Sequence, residues 1–297
     1  MIQSMRNTEL KREDGFWKGT FMAMASPCDV LMEVEKKSLA QDILNAVADE
    51  AWRIEDKFSR YKKDNVIYKI NNSIGETVVV DDETARLFDF ANELFEISEG
   101  MFDITSGVLR EVWKFDGSDN VPDKKQIKKM LKKIGWQKIE RDNNQMTLPK
   151  DMEIDLGGIG KEYAVDRCVQ IARQKTKQSV LVNFGGDLAM TRSRINNRFW
   201  SVGRLITGSE EACGLFQLYS GAIATSGDAN RFLLKNGVRY SHILNPKTGW
   251  SINDAPHTVS VAAPTCVEAG MMSTLAMLQG GDAEAFLKLQ EVNYWID

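Results

Sequence analysis

The stretch Asp155-Leu-Gly-Gly-Ile-Gly-Lys-Glu-Tyr-Ala-Val-Asp166 decides how the rest of the chain is read. It grows out of the alternating segment Met152–Leu156, which reads as a strand, and runs into helical spacing from Lys161 to about Lys175. Glycines at 157, 158 and 160 let a backbone approach a neighbour closely. The helix N-terminus that follows gathers unpaired N–H groups, and Lys161 adds a cation in its first turn. Two readings stay open from these residues: a tight strand-to-helix turn with an exposed lysine, or a cradle for a phosphate. The spacing is not that of a P-loop, and no strand is followed by G-x-G-x-x-G, so a Rossmann site is not supported.

Upstream, residues 17–35 read as two strands joined by a turn at Ser26-Pro27. Residues 38–58 carry Leu39, Ile43, Leu44, Val47, Ala51, Ile54 and Phe58 on one helical face, with Ser38 as the expected N-cap. A short helix follows Phe58-Ser-Arg-Tyr61, Thr77–Val80 reads as a strand, and residues 82–98 read as a helix stopped near Gly100. Residues 121–147 read as a lysine-rich helix with a solvated face and a strand-like return. Downstream, strands are expected at 179–184, 199–205, 215–218, 222–225 and 257–263, and helices at 267–278 and 283–290. Paired strands with segregated helices predict an α+β fold, mixed or antiparallel sheets flanked by helices, in one domain over 1–297, with residues 1–18 an extension or arm.

Composition narrows the function. Of 297 residues, 38 are Lys or Arg and 42 are Asp or Glu, a net charge of −4, which argues against broad electrostatic binding of nucleic acid. Mean hydropathy is −0.33, and no stretch reaches the roughly 18–20 apolar residues of a membrane span. The polar N-terminus lacks a signal-peptide core, and Cys28, Cys168, Cys213 and Cys266 form no C-x-x-C pair. Both features predict a cytoplasmic protein with reduced thiols.

Four further segments are too small and polar to be core. Asn183-Phe-Gly-Gly-Asp187 is a turn or a second close backbone approach. Ala224-Thr-Ser-Gly-Asp228 caps a helix or hydrogen-bonds a phosphate or ribose. Tyr240-Ser-His-Ile-Leu-Asn-Pro-Lys-Thr-Gly249 carries His242, either structural or a proton carrier at neutral pH. Ser98-Glu-Gly-Met-Phe-Asp-Ile-Thr-Ser-Gly107 holds Asp103 in what reads as a helix stop.

Taken together and in this order, the segments resemble the ApbE family of FAD:protein FMN transferases, from about residue 20 to 285. Met24-Ala-Ser26 resembles its Met-Gly-Thr turn, with Ala25 for Gly. Phe58-Ser-Arg-Tyr61 with Ile70-Asn71, and Gly100-Met-Phe-Asp-Ile-Thr105, resemble two more of its segments. Residues 155–166, DLGGIGKEYAVD, are close to its DLGGIAKGYAVD. Asn183–Asp187, Ala224–Gly227 and Ser241–Gly249 match three further motifs. The resemblance implies an enzyme that moves FMN from FAD onto a Thr or Ser hydroxyl of a flavin-acceptor protein and releases AMP. It implies that Met24, Tyr61, Phe102, Asp103, Asp155 and Lys161 hold FAD, that His242 assists deprotonation of the acceptor, and that Thr274 and the Gly158 backbone hold Mg²⁺.

The chain departs from the family where a metal would need charge. The family's Ala-Asp-x-x-x-Thr stands here as Ala269-Gly-Met-Met-Ser-Thr274, so Gly270 replaces the metal-binding Asp. Mg²⁺ usually takes one or two carboxylates, so the site is expected to be weakened. Glu268 is two helical residues away, about 200° around the helix, and should point elsewhere. Asp187 or Asp228 could substitute. Asn245 also replaces the family's usual Asp. The alternatives to an active transferase are a non-catalytic FAD-binding homologue and an FAD pyrophosphatase.

Overall fold

The structure is a computed structural model and describes residues 6–205, 212–228 and 231–297. Strands β1 (Glu9–Glu13), β2 (Phe16–Ala23) and β3 (Ser26–Met32) lead into helices α1 (Lys37–Phe58) and α2 (Val66–Asn71), strand β4 (Thr77–Val79), and helices α3 (Asp82–Ile97) and α4 (Lys124–Leu131). Then come β5 (Glu140–Asp142), β6 (Gln145–Thr147), α5 (Gly160–Lys175), β7 (Val180–Phe184), β8 (Asp187–Met190), β9 (Trp200–Leu205) and β10 (Ala212–Leu218). The chain ends with β11 (Ala222–Gly227), β12 (Phe232–Lys235), β13 (Val238–Ser241), β14 (Thr258–Ala263), α6 (Cys266–Leu278), α7 (Ala283–Leu289) and β15 (Asn293–Ile296).

Eight strands form one sheet in the order β1-β2-β3-β7-β8-β11-β14-β15, every neighbouring pair antiparallel. The α+β expectation therefore holds. Strand periodicity sorts the sheet into two faces. Val180, Val182 and Phe184 of β7 join the main core with Ile43, Leu44 and Val47 of α1 and Ala164, Cys168 and Ala172 of α5, whereas Leu181 between them joins Trp200, Phe216 and Leu218 on the opposite face. Helix α5 packs on β7 and β8, with α1 on one side and α6 on the other. This places the N-terminal turn of α5 beside α6. Outside the main core, Val108, Leu109, Trp113, Ile127 and Met130 form a second cluster with Leu233.

The sequence reading needs four corrections. Residues 9–18 are not an arm: β1 is the sheet's edge strand, paired with β2 over five residues, and Leu10 packs on the core. The first hairpin turns at Met24-Ala25, not Ser26-Pro27, because Ala23 pairs Ser26 and both loop residues take positive φ, 51° and 56°. Such a two-residue turn favours glycine, so Ala25 carries strain of order 1 kcal/mol. Helix α1 begins at Lys37, ahead of Ser38, and its Lys36 cap makes no side-chain bond; the helix rests on its buried face instead. Met152–Leu156 is extended but not part of a sheet. Its partners are the Asn71 side chain, whose Oδ1 accepts from Ile154 N at 2.7 Å while its Nδ2 donates to Ile154 O at 3.0 Å, and Ile104 O, which accepts from Asp155 N at 2.8 Å. Buried Met152, Ile154 and Leu156 produce the alternation of a strand without its ladder.

Among the described residues no helix is long and apolar enough to cross a membrane. Cys28, Cys168 and Cys266 are free and buried, while the side chain of Cys213 lies outside the described residues.

Candidate active site

The glycine turn of 157–160 sits against the segment carrying Phe102 and Asp103. A Cβ placed on Gly158 would meet the Phe102 ring at 3.1 Å, so the absence of a side chain lets backbone and ring touch. Phe102 is nearly buried, and its N–H donates to Ser98 Oγ at 2.8 Å. Asp103 is buried and its carboxylate is spoken for: Oδ1 accepts from Thr105 N at 2.7 Å and Thr105 Oγ1 at 2.6 Å, and Oδ2 accepts from Trp136 N at 3.1 Å. It shapes the loop around Phe102.

Asp155 accepts from Gly157 N at 3.0 Å and pairs with Arg60 Nη1 at 2.7 Å. Arg60 Nη2 donates to the Tyr61 hydroxyl at 2.8 Å, and its guanidinium lies 4.9 Å from the Tyr61 ring centroid. Tyr61 itself is 77% exposed, an aromatic surface held open to solvent. Arg60 is a residue the sequence reading did not single out, although it stands inside one of the quoted motifs.

Lys161 ties the turn to the second glycine motif. Its Nζ lies 2.7 Å from Asp187 Oδ2, and Asp187 Oδ1 accepts from Thr225 N at 3.3 Å. Burial works to lower the Lys161 ammonium, and the Asp187 carboxylate outweighs it, so the lysine stays charged above its ordinary value. Burial also pushes the Asp187 carboxyl up, against the pull of Lys161. From Thr225 the contacts continue: Ser226 Oγ lies 2.8 Å from Ser273 Oγ and 3.0 Å from Thr274 Oγ1 on α6. Lys161, Asp187 and the Thr225 amide thus form one set of polar contacts, and Ser226, Ser273 and Thr274 form another, the two joined only through the backbone of β11.

Helices α5 and α6 are locked in register by Asp166, whose Oδ1 and Oδ2 accept from Cys266 N and Val267 N, each at 2.9 Å. One turn back along α5 is Glu162, and one turn on along α6 is Gly270. A Cβ on Gly270 would lie 2.5 Å from Glu162 Cγ and 3.0 Å from Oε1, so Glu162 fills the space that a side chain at 270 would enter. Glu162 Oε2 is sealed from solvent and has no hydrogen-bond partner. Burial, with Asp187 adding to it, pushes this carboxyl well above its ordinary value. Gly270 and Thr274 lie at i and i+4 on one face of α6, so Glu162 stands over the face that carries the Thr274 hydroxyl. Carboxylate and hydroxyl oxygens are the hard donors that suit Mg²⁺. Among the described residues no group of three or more His, Cys, Asp or Glu side chains is placed to hold a metal, so such a site would draw on hydroxyl and backbone oxygens as well.

Two other carboxylates near α6, Glu268 and Asp228, are engaged. Glu268 closes a capping box with Thr265. Asp228 is buried and meets Arg239 Nε at 3.0 Å, Arg239 Nη2 at 3.2 Å and His257 Nδ1 at 3.2 Å.

His242 follows β13. Its N–H donates to Arg231 O at 3.0 Å, its ring meets Phe115 edge-on at 6.3 Å, and its Nδ1 is buried without a partner. Burial, reinforced by the charge of Arg231, lowers its pKa, so the imidazole is neutral at pH 7. The turn beyond it is held by Asn245, whose Oδ1 accepts from Lys247 N at 2.8 Å and Thr248 N at 3.1 Å. An amide oxygen does this work as an aspartate would, without the charge.

The sequence model of the ApbE family matches residues 24–296. The chain belongs to the ApbE family. The ApbE protein of Thermotoga maritima has 30% sequence identity to this chain, a TM-score of 0.84, and coverage of 95% of this chain and 94% of its own. The FAD:protein FMN transferase of Chlamydia pneumoniae is 30% identical over 258 residues, 84% of this chain and 79% of its own length. That of Haemophilus influenzae is 28% identical over 243 residues, 77% of this chain and 70% of its own. The ApbE match begins at Met24, on the tip of the first hairpin, and runs into β15.

Proposed function

We propose that this ApbE protein transfers FMN from FAD to a Ser or Thr hydroxyl of a flavin-acceptor protein, releasing AMP. One observation carries the reading: Lys161, at the end of the glycine turn, pairs with Asp187 of a second motif, whose carboxylate accepts from the Thr225 amide of a third, next to Ser226, which bonds Thr274. The similarity to relatives named FAD:protein FMN transferases supports it.

In this reading the acceptor oxygen forms a bond to the FMN phosphorus as the pyrophosphate P–O bond breaks and AMP leaves. Such transfer rests on positioning and on neutralising charge rather than on covalent help from the protein. Phe102, Met24 and exposed Tyr61 offer apolar and aromatic surface to the flavin. Asp155, paired with Arg60, and Asp103, through its hold on the 102–105 loop, fix that surface. Lys161, kept charged by Asp187, faces the developing charge on the phosphates. His242, kept neutral, takes the acceptor hydroxyl's proton on an imidazole nitrogen. Thr274 and the Gly158 carbonyl would hold Mg²⁺, which when bound offsets the pyrophosphate's charge. The free thiols favour a cytoplasmic setting.

Isothermal titration with FAD, with and without Mg²⁺, tests the reading. Micromolar or tighter binding that Mg²⁺ strengthens is the expected result. Absence of FAD binding would refute a flavin site altogether, and binding indifferent to Mg²⁺ would favour a homologue that holds flavin without transferring it.

A further inference from the structure

We propose that Glu162 supplies the anionic metal ligand that position 270 does not, so that the carboxylate of this ApbE site has moved from α6 to α5. The inference rests on the flavin-transfer reading above, and it rests on packing. The motif that residues 155–166 resemble has glycine where this chain has Glu162, and the one that residues 269–274 resemble has aspartate where this chain has Gly270. The two positions face each other, and a side chain at 270 would require Glu162 to move, since a Cβ on Gly270 would come within 2.5 Å of Glu162 Cγ. The exchange therefore conserves one carboxylate in one volume. Asp166, by capping α6 through Cys266 and Val267, fixes the register that makes the exchange possible.

Two further observations point to a cation. Glu162 Oε2 is sealed from solvent and unpartnered, and a carboxylate left so is costly unless a partner arrives from outside the chain. The surrounding carboxylates are already engaged: Asp187 by Lys161, Asp228 by Arg239 and His257, and Glu268 by its own capping box. Of these acids, Glu162 is the one left to meet a metal beside Thr274. Its extra methylene, compared with aspartate, spans the distance from α5, and Gly270 leaves the room.

The test uses Mn²⁺ as a spectroscopic stand-in for Mg²⁺. Mn²⁺ uptake is read by electron paramagnetic resonance on the full chain with FAD present, and FAD affinity is read separately without divalent metal by flavin fluorescence. Glu162→Gln, which keeps the shape of the side chain, should weaken Mn²⁺ binding at least about tenfold and leave metal-free FAD affinity within about twofold. The paired change Glu162→Gly with Gly270→Asp should restore Mn²⁺ binding to within a few-fold of the unaltered protein. Unchanged Mn²⁺ affinity in Glu162→Gln would overturn the proposal, as would a folded double variant that stays as weak as Glu162→Gln. An unaltered protein that binds FAD but takes up no Mn²⁺ sinks the ligand assignment alone, whereas one that binds no FAD sinks the flavin reading beneath it.

Discussion

Glu162 and Asp228 are two acids of one neighbourhood with opposite circumstances. Asp228 is buried with its oxygens met by Arg239 and His257. Glu162 has a sealed oxygen with no partner. Asp228 lies just beyond Ser226, whose hydroxyl bonds Thr274 on the helix over which Glu162 stands. A buried acid with built-in partners is part of the scaffold, and removing a partner exposes the cost of burying charge. A half-buried acid with a sealed, unpartnered oxygen costs the fold and keeps that oxygen for a ligand. The contrast separates the structural half of the site from the half proposed to work.

The largest expected effect is on the closed side. Arg239→Ala leaves Asp228 with His257 alone and should destabilise the protein by about 3 kcal/mol, read by urea unfolding. A loss under 1 kcal/mol would mean that Asp228 is better hydrated than its burial implies. Next, Asp166→Ala removes the acceptors of two α6 amides and should cost about 1–2 kcal/mol, with Mn²⁺ uptake falling alongside as the α5–α6 register loosens. Smaller still, Glu162→Gln should change stability by less than about 1 kcal/mol, and in the stabilising direction, because a neutral amide replaces an unpartnered acid. A loss as large as that of Arg239→Ala would erase the distinction between the two acids. The mildest effect is a pH dependence. His242 is held below its ordinary pKa of 6.5, so its neutral form persists into mildly acid solution, and the acid limb of the transfer rate should lie below that value. Its contribution to stability runs the same way: the unfolded chain takes up the proton first, so stability rises with pH across that window. His242→Asn should abolish the limb and the slope together.

Much of the fold was legible because periodicity is a record of burial. The helices of 37–58, 82–97 and 160–175 each show an apolar face that the sheet or a neighbouring helix covers, whereas that of 266–278 is apolar nearly all round. The errors occur where something other than periodicity sets the structure. Met152–Leu156 alternates like a strand but answers to the Asn71 amide. Asp187–Met190 is buried at every position, so β8 gives no alternation to read. Leu10 is too lone an apolar residue to announce an edge strand. At the site, the glycine turn, Phe102, Asp155, Lys161 and Thr274 were named from their motifs. Arg60 and Glu162 were not, because their roles depend on what lies opposite them. The sequence reading singled out Gly270 alone, and only the packing of α5 on α6 brings Glu162 opposite it.

The most direct test of the account is a single reaction: protein, FAD and Mg²⁺ with a threonine-containing acceptor, followed by mass spectrometry of the acceptor and quantification of AMP. One FMN added to the acceptor through its hydroxyl for each AMP released is the expected result. AMP accompanied by free FMN and an unmodified acceptor would contradict it, and would make water, not a protein hydroxyl, the group that attacks.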